Sequence, residues 1–331
     1  MTEDPAAARK SSQRALVLAG GGAAGNAWEL GVVAGLAAEG VDLLEADLIV
    51  GTSAGSTVAA QITSGTSPAD LYAAVLAEQP RPGPADGRQH GGQRHGGSPG
   101  PGQGSPGRAR ATADHTPGTA DHARGGLGQA GRSYVEWSDG VIAASADPAD
   151  LRRRMGAAAL AKDDGLGQAG WRDVVAARLP VHDWPDRRLV ITAVDARTGA
   201  PVLFDRHSGI DLVDAVAAST GNGYPIGDER YLNGGYRRSE NADVATGYGR
   251  VLVLSPFGGR TRMPLEWRMD LASQVRDLQD GGSRVETVFP DAGAGDVFDA
   301  NALDPSTRRQ AAHGGYQQGR ALAPRIGDFW S

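Results

Sequence analysis

Two kinds of apolar pattern alternate along this chain. Ala15–Ala19, Asp47–Val50, Arg188–Asp195 and Arg250–Ser255 carry consecutive aliphatic residues, the pattern of strands buried on both faces. Pro201–Phe204 and Arg284–Phe289 read as further strands. Between them lie stretches with helical spacing. The first is amphipathic, with Trp28, Leu30, Val32, Val33 and Leu36, and Ser56–Ile62 opens another. Ser138–Ser145, Pro148–Leu160, Trp171–Arg178, Asp211–Ala218, Glu266–Gln279 and Arg308–Trp330 follow, with Asp211 placed as a favourable N-cap. Strands alternating with helices predict a three-layer α/β/α fold with a mainly parallel central sheet.

Residues 80–135 break the pattern. Pro, Gly, Ser, Gln, His and Arg dominate, and almost no aliphatic side chain is present. Such a segment cannot offset its ordering entropy by burial, so a disordered low-complexity insertion is expected. Thr-Ala-Asp-His occurs at 112–115 and again at 119–122, as in sequence expansion. The expected organisation is a flexible tail over 1–14, one α/β domain formed by 15–79 and 136–331, and the insertion between.

Composition narrows the picture. The 331 residues are 40% hydrophobic and 22% charged, enough for one sizeable core. There is no cysteine, which excludes disulfides and thiolate chemistry. The formal charge of −6 does not suggest a nucleic-acid partner. Seven Arg against three Asp make the insertion locally basic, so contact with anionic lipid headgroups is one use for it. His90, His95, His115 and His122 also lie there, but their loose spacing defines no metal site. The start, Met1-Thr2-Glu3-Asp4-Pro5, is polar, and no window approaches the apolar length of a membrane span. A cytoplasmic location is expected.

Residues 51–55 read Gly-Thr-Ser-Ala-Gly, a G-x-S-x-G pentapeptide between a predicted strand and a predicted helix. A serine at such a turn has its hydroxyl lifted toward solvent, and Gly51 and Gly55 avoid clashes with strand and helix. Ser53 is therefore a candidate acyl-transfer nucleophile. Upstream, the strand 15–19 runs into Gly20-Gly21-Gly22-Ala23-Ala24-Gly25 and then a helix. Successive N–H groups there suit either a dinucleotide pyrophosphate or the oxyanion of an acyl intermediate. The dinucleotide reading wants a carboxylate at the end of the next strand, but Asp42 and Asp47 precede that strand, which ends at Gly51-Thr52-Ser53.

The glycine loop followed by the serine elbow resembles the patatin-like phospholipases, lipid acyl hydrolases with a serine–aspartate dyad. The resemblance covers 15–79 and roughly 188–256 well, and 257–331 loosely. It implies an α/β fold, a lipid or other acyl-ester substrate, transient contact with a membrane surface, and no cofactor or metal. It places oxyanion and substrate contacts on Gly20, Gly21, Gly22, Ala23 and Gly25. The helices over 138–178 would be the variable region lying above the active site. Two departures stand out. The family usually has Arg or Lys where this chain has Ala24. The family's D-G-G/A motif, which carries the catalytic aspartate, reads Asn233-Gly234-Gly235 here.

A carboxamide cannot take the serine proton, because its oxygen is a very weak base and its nitrogen only donates. Weak or absent turnover is expected, and a catalytically silent acyl- or lipid-binding protein with a regulatory role is the competing reading. Asp228 and Asp243 are the nearby carboxylates that stand as alternative bases. His313, with Asp291, Asp296 and Asp299 upstream, would serve a serine–histidine–aspartate triad. The Asn233-Gly234 dipeptide is also of a kind prone to deamidation, which would regenerate an aspartate. Trp171, Trp184 and Trp267 are expected to anchor packing, and Asn241 and Asp243 to begin a helix.

Overall fold

In a computed structural model the protein is described over residues 12–78, 136–161, 169–294 and 301–331. The expected insertion and most of the expected tail lie outside the described residues. The elements are β1 (Arg14–Leu18), α1 (Gly22–Ala38), β2 (Leu48–Gly51), α2 (Ala54–Ile62), α3 (Pro68–Ala77), α4 (Pro148–Ala161), α5 (Ala169–Ala176), β3 (Leu189–Asp195), β4 (Pro201–Phe204), α6 (Leu212–Thr220), β5 (Asn222–Ile226), β6 (Glu229–Asn233), β7 (Arg250–Leu254), α7 (Leu271–Asp280), β8 (Arg284–Val288) and α8 (Arg308–Trp330). A helical stretch over 136–143 precedes α4.

The eight strands form one mixed sheet flanked by helices, the three-layer α/β architecture. β3, β2, β1, β7 and β8 are parallel neighbours in that order. Apolar residues alternate between faces, as burial on both sides requires. Leu16, Leu18, Ile49, Ile191, Leu252 and Leu254 pack beneath α1, α2, α6 and α8. Val17, Val50, Val190, Val251 and Val253 pack with α7 on the other face.

The antiparallel strands bring distant segments of the chain together. Ile191 of β3 pairs with Gly51 on one edge and Phe204 on the other. Two residues on, Ala193 pairs with Val202 of β4 and with Asn233 of β6. A strand has only two edges, and β4 occupies one of them across this stretch. β2 and β6 therefore share the remaining edge, end to end. β2 leaves into its turn where β6 arrives, which brings Ser53 to Asn233 although 180 residues separate them.

Several expectations change. The amphipathic helix at Trp28 is instead buried throughout from Ala24 to Leu36. It lies between the sheet and α8, so no face reaches water. The two helices approach closely: a Cβ on Gly35 would stand 2.2 Å from the Tyr316 carbonyl oxygen. Asp211 occupies the N-cap of α6, yet its side chain makes no capping bond and faces Arg172 at 3.5 Å. The helix expected over 266–279 divides into a short turn, Leu265–Trp267, and α7. Arg268 breaks it with φ of 52°, and Asp270 caps the new start by accepting from the Ser273 N–H at 2.8 Å. α4 covers the β3–β6 region through Leu151, Met155, Val194, Leu232 and Tyr236. Trp171 and Trp184 pack on the main core and Trp267 on this smaller one.

Candidate active site

Ser53 sits where β2 turns into α2, with φ of 53° and ψ of −121°. A non-glycine residue in such a sparsely populated region costs about 1–3 kcal/mol and persists only where its surroundings hold it. Both backbone polar groups of Ser53 are held by hydroxyls. Its N–H donates to Ser219 Oγ at 2.9 Å, and its carbonyl accepts from Ser56 Oγ at 2.5 Å. The turn also presses on the end of β1, where the Gly55 N–H donates to the Ala19 carbonyl at 3.1 Å. A Cβ on Gly55 would meet the Leu18 carbonyl oxygen at 2.2 Å, so only glycine fits. The side chain of Ser53 is half-buried, with its hydroxyl at the carboxyl end of the parallel strands.

The glycine segment is shorter as a loop than its sequence suggests, because α1 begins at Gly22. Gly20 lies beside Ser53: a Cβ there would stand 3.3 Å from Ser53 Cβ. Among the described residues the N–H groups of Gly21, Gly22 and Ala23 find no backbone acceptor, nor does that of Ala54 just after Ser53. The Ala24 N–H donates to the Ala302 carbonyl at 3.0 Å. Gly25 is corrected as an oxyanion contact, since its N–H makes the first helical bond, to the Gly21 carbonyl at 2.8 Å. The open donors thus comprise two helix N-termini, which favour negative charge.

A cation from a distant part of the chain reaches the start of α1. Arg308, at the start of α8, donates to Asn26 Oδ1 at 2.7 Å and to the Ala23 carbonyl at 3.3 Å. Glu78 pairs with it at 2.7 Å. Glu29 lies in α1, one turn inside the segment, fully buried and with both carboxyl oxygens unpartnered. The nearby Ala19 N–H is directed to the Leu254 carbonyl at 3.1 Å, so burial dominates and holds the Glu29 pKa well above the usual carboxylate range.

Asn233 ends β6. Its Nδ2 donates to Ser53 Oγ at 2.9 Å, and its Oδ1 accepts from the Gly235 N–H at 2.9 Å. The second contact fixes the orientation of the amide. Were it turned over, Nδ2 would face the Gly235 N–H, donor against donor. Asn233 therefore presents a donor to Ser53, and the serine oxygen is an acceptor in this pair. Gly234 is also obligatory, because a Cβ there would fall 2.2 Å from Thr192 Oγ1. The expected proneness to deamidation meets an obstacle in the backbone. With ψ of 133° at Asn233, the Gly234 nitrogen is rotated well away from the eclipsed arrangement with Cβ that ring closure needs.

The other candidate bases are not assembled at Ser53. Asp228 is exposed at the tip of the β5–β6 hairpin, five residues from Asn233 and roughly 16 Å away along an extended strand. Asp243 is engaged by Arg237 at 2.7 Å. His313 is exposed on α8, and no hydrogen bond joins it to Ser53 among the described residues; Asp291 caps a local turn, and Asp296 and Asp299 lie outside those residues. Among the described residues no group of three or more His, Cys, Asp or Glu could hold a metal ion, and no helix is long and apolar enough to cross a membrane.

Sequence reasoning missed Ser219, Thr52, Thr192 and the placement of Asn241. They are ordinary polar residues far apart in the chain, and only contact order in space reveals them. Ala54 was accessible, because the residue after an elbow serine commonly supplies an oxyanion donor.

The sequence matches the patatin-like phospholipase family over residues 16–246. Among solved structures the chain is similar to VipD from Legionella pneumophila, at 14% identity over 95% of this chain and 67% of that one, with a TM-score of 0.40. It is also similar to the type III effector protein ExoU, at 17% identity over 93% of this chain and 54% of that one, with a TM-score of 0.31. The chain spans about two thirds of the length of the first and about half of the second. No curated protein matches it.

Proposed function

The chain belongs to the patatin-like phospholipase family, and from that premise we propose that it is a lipid acyl hydrolase scaffold whose base position is occupied by a non-basic residue. The observation that carries this reading is the 2.9 Å approach of the Asn233 side chain to Ser53 Oγ. In the proposed cycle Ser53 attacks the ester carbonyl. The developing oxyanion is held by N–H groups of Gly21, Gly22 and Ala23, with Ala54 as a further donor. Collapse expels the alcohol and leaves an acyl-enzyme, which water hydrolyses. Both half-reactions need a group at position 233 that accepts a proton and returns it. Asn233 accepts none, so turnover as encoded is weak or lost. No step calls for a metal or a nucleotide.

An acyl chain has apolar surface to meet at this mouth. Leu303 is 62% exposed and lies against Gly22, and Phe257 is 37% exposed and follows the Pro256 that packs on Gly21. These residues support a fatty acyl ester at or near a lipid surface as the substrate class. A second reading, a silent acyl- or lipid-binding protein, is favoured by the amide orientation, which offers Ser53 a donor and no base. Labelling with a fluorophosphonate separates the two. Slow modification that is abolished by Ser53→Ala supports a weakened hydrolase, whereas none after prolonged exposure supports the binder.

A further inference from the structure

Beneath the Ser53–Asn233 pair lies a buried polar cluster that the proposed chemistry does not use. Asn241 is fully buried and left-handed, with φ of 59°. Its Nδ2 lies 3.0 Å from Thr52 Oγ1, 3.2 Å from Thr192 Oγ1, 3.1 Å from the Gly234 carbonyl and 3.1 Å from the Arg238 carbonyl. Its Oδ1 accepts from Arg237 at 2.7 Å, which fixes the amide with nitrogen inward. Thr52 and Thr192 hydroxyls meet at 2.9 Å. Thr52 immediately precedes the nucleophile, Gly234 immediately follows Asn233, and Thr192 belongs to the strand that both segments flank.

We infer that Asn241 is a positioning residue that sets the alignment of position 233 against Ser53, by tying the β2 turn and the β6 turn to one buried amide. β2 and β6 do not hydrogen-bond to each other; they meet end to end on the edge of β3. Each is registered to β3 separately, Gly51 opposite Ile191 and Asn233 opposite Ala193, and no ladder joins the two turns that extend beyond these pairs. Asn241 adds a direct cross-link between the two turns beyond those pairs. Its own place is anchored from α7, where Gln274 Oε1 accepts the Ala242 N–H at 2.8 Å. The inward amide also explains why the αL conformation at 241 is tolerated: asparagine adopts it more readily than other non-glycine residues.

This inference rests on the reading of 233 as the base position, so the test is made in the Asn233→Asp protein. Asn241→Ala and Thr192→Val are introduced there separately, and kcat and KM for a p-nitrophenyl ester are measured beside near-ultraviolet circular dichroism. Thr192→Val keeps the shape of the side chain and guards against a failure of Asn241→Ala to fold. Misplacement of about 1 Å costs about 10²-fold in rate, so a fall of about that size in kcat is expected for Asn241→Ala, with KM nearly unchanged and the tertiary spectrum retained. A smaller fall of the same kind is expected for Thr192→Val. Unchanged kcat in either folded variant, or a loss that only follows the unfolded fraction, overturns the inference. An Asn233→Asp protein without activity overturns the functional reading itself, and this inference with it.

Discussion

Replacing the side-chain nitrogen of Asn233 by oxygen changes one atom and reverses the polarity of the contact with Ser53 Oγ. In Asn233→Asp, one carboxylate oxygen inherits the Gly235 N–H at 2.9 Å, and the other inherits the position 2.9 Å from Ser53 Oγ. That spacing lies within the range needed for direct proton transfer. The Gly235 N–H stabilises the ionised form, which favours a carboxylate at neutral pH. The fold has nothing to rearrange, because the two side chains are isosteric and half-buried. A positioned general base contributes about 10²–10⁴-fold, and an oxyanion site alone retains residual catalysis of about 10³–10⁴ over water. The variant is expected to hydrolyse p-nitrophenyl esters at least about 100-fold faster than the unaltered protein, with activity rising with pH as the new carboxyl ionises. Ser53→Ala in the same background should abolish the gain. Equal rates for the two proteins would refute the assignment of 233 as the base position.

Ser219→Ala removes the acceptor of the Ser53 N–H and loosens a strained turn; it should slow fluorophosphonate labelling of the Asn233→Asp protein and destabilise it by about 1–2 kcal/mol, read by urea denaturation. Burial raises the Glu29 pKa well above the usual carboxylate range, so the stability linked to its proton is complete at acid pH, below its unfolded value, and is lost as pH rises through its folded value. Glu29→Gln should therefore raise the urea midpoint in alkaline buffer and flatten its fall with pH; an unaltered pH dependence would show that Glu29 does not titrate on unfolding. Peptide mapping after long incubation should find Asn233 unmodified, because its ψ opposes ring closure; a mass gain of deamidation confined to residue 233 would contradict that geometry.

Much of the architecture and one half of the site could be read from local pattern. β-branched runs with no polar parity marked the strands of a sheet covered on both faces, and a strand, a G-x-S-x-G turn and a helix marked Ser53. These are consequences of a few adjacent residues, and adjacency is what a sequence displays. The asparagine in the base motif was legible in the same way, as an identity at a position. Other properties depended on what distant segments do in space. Whether Gly20–Gly25 was a loop or a helix start was settled by α8 and the Ala302 carbonyl, which cap and bury α1. Arg308 reached the start of α1 from α8, and no spacing rule connects the two. Residues 53 and 233 met because β4 filled the opposite edge of β3 and left one edge for β2 and β6 to share. The sense of the Asn233 amide was decided by a single N–H two residues away, once the turn had closed. Side-chain chemistry was written in the order of residues, but the donor, acceptor and neighbour of each group depended on the fold that assembled them, because hydrogen bonds and close packing act over a few ångströms of space irrespective of separation along the chain.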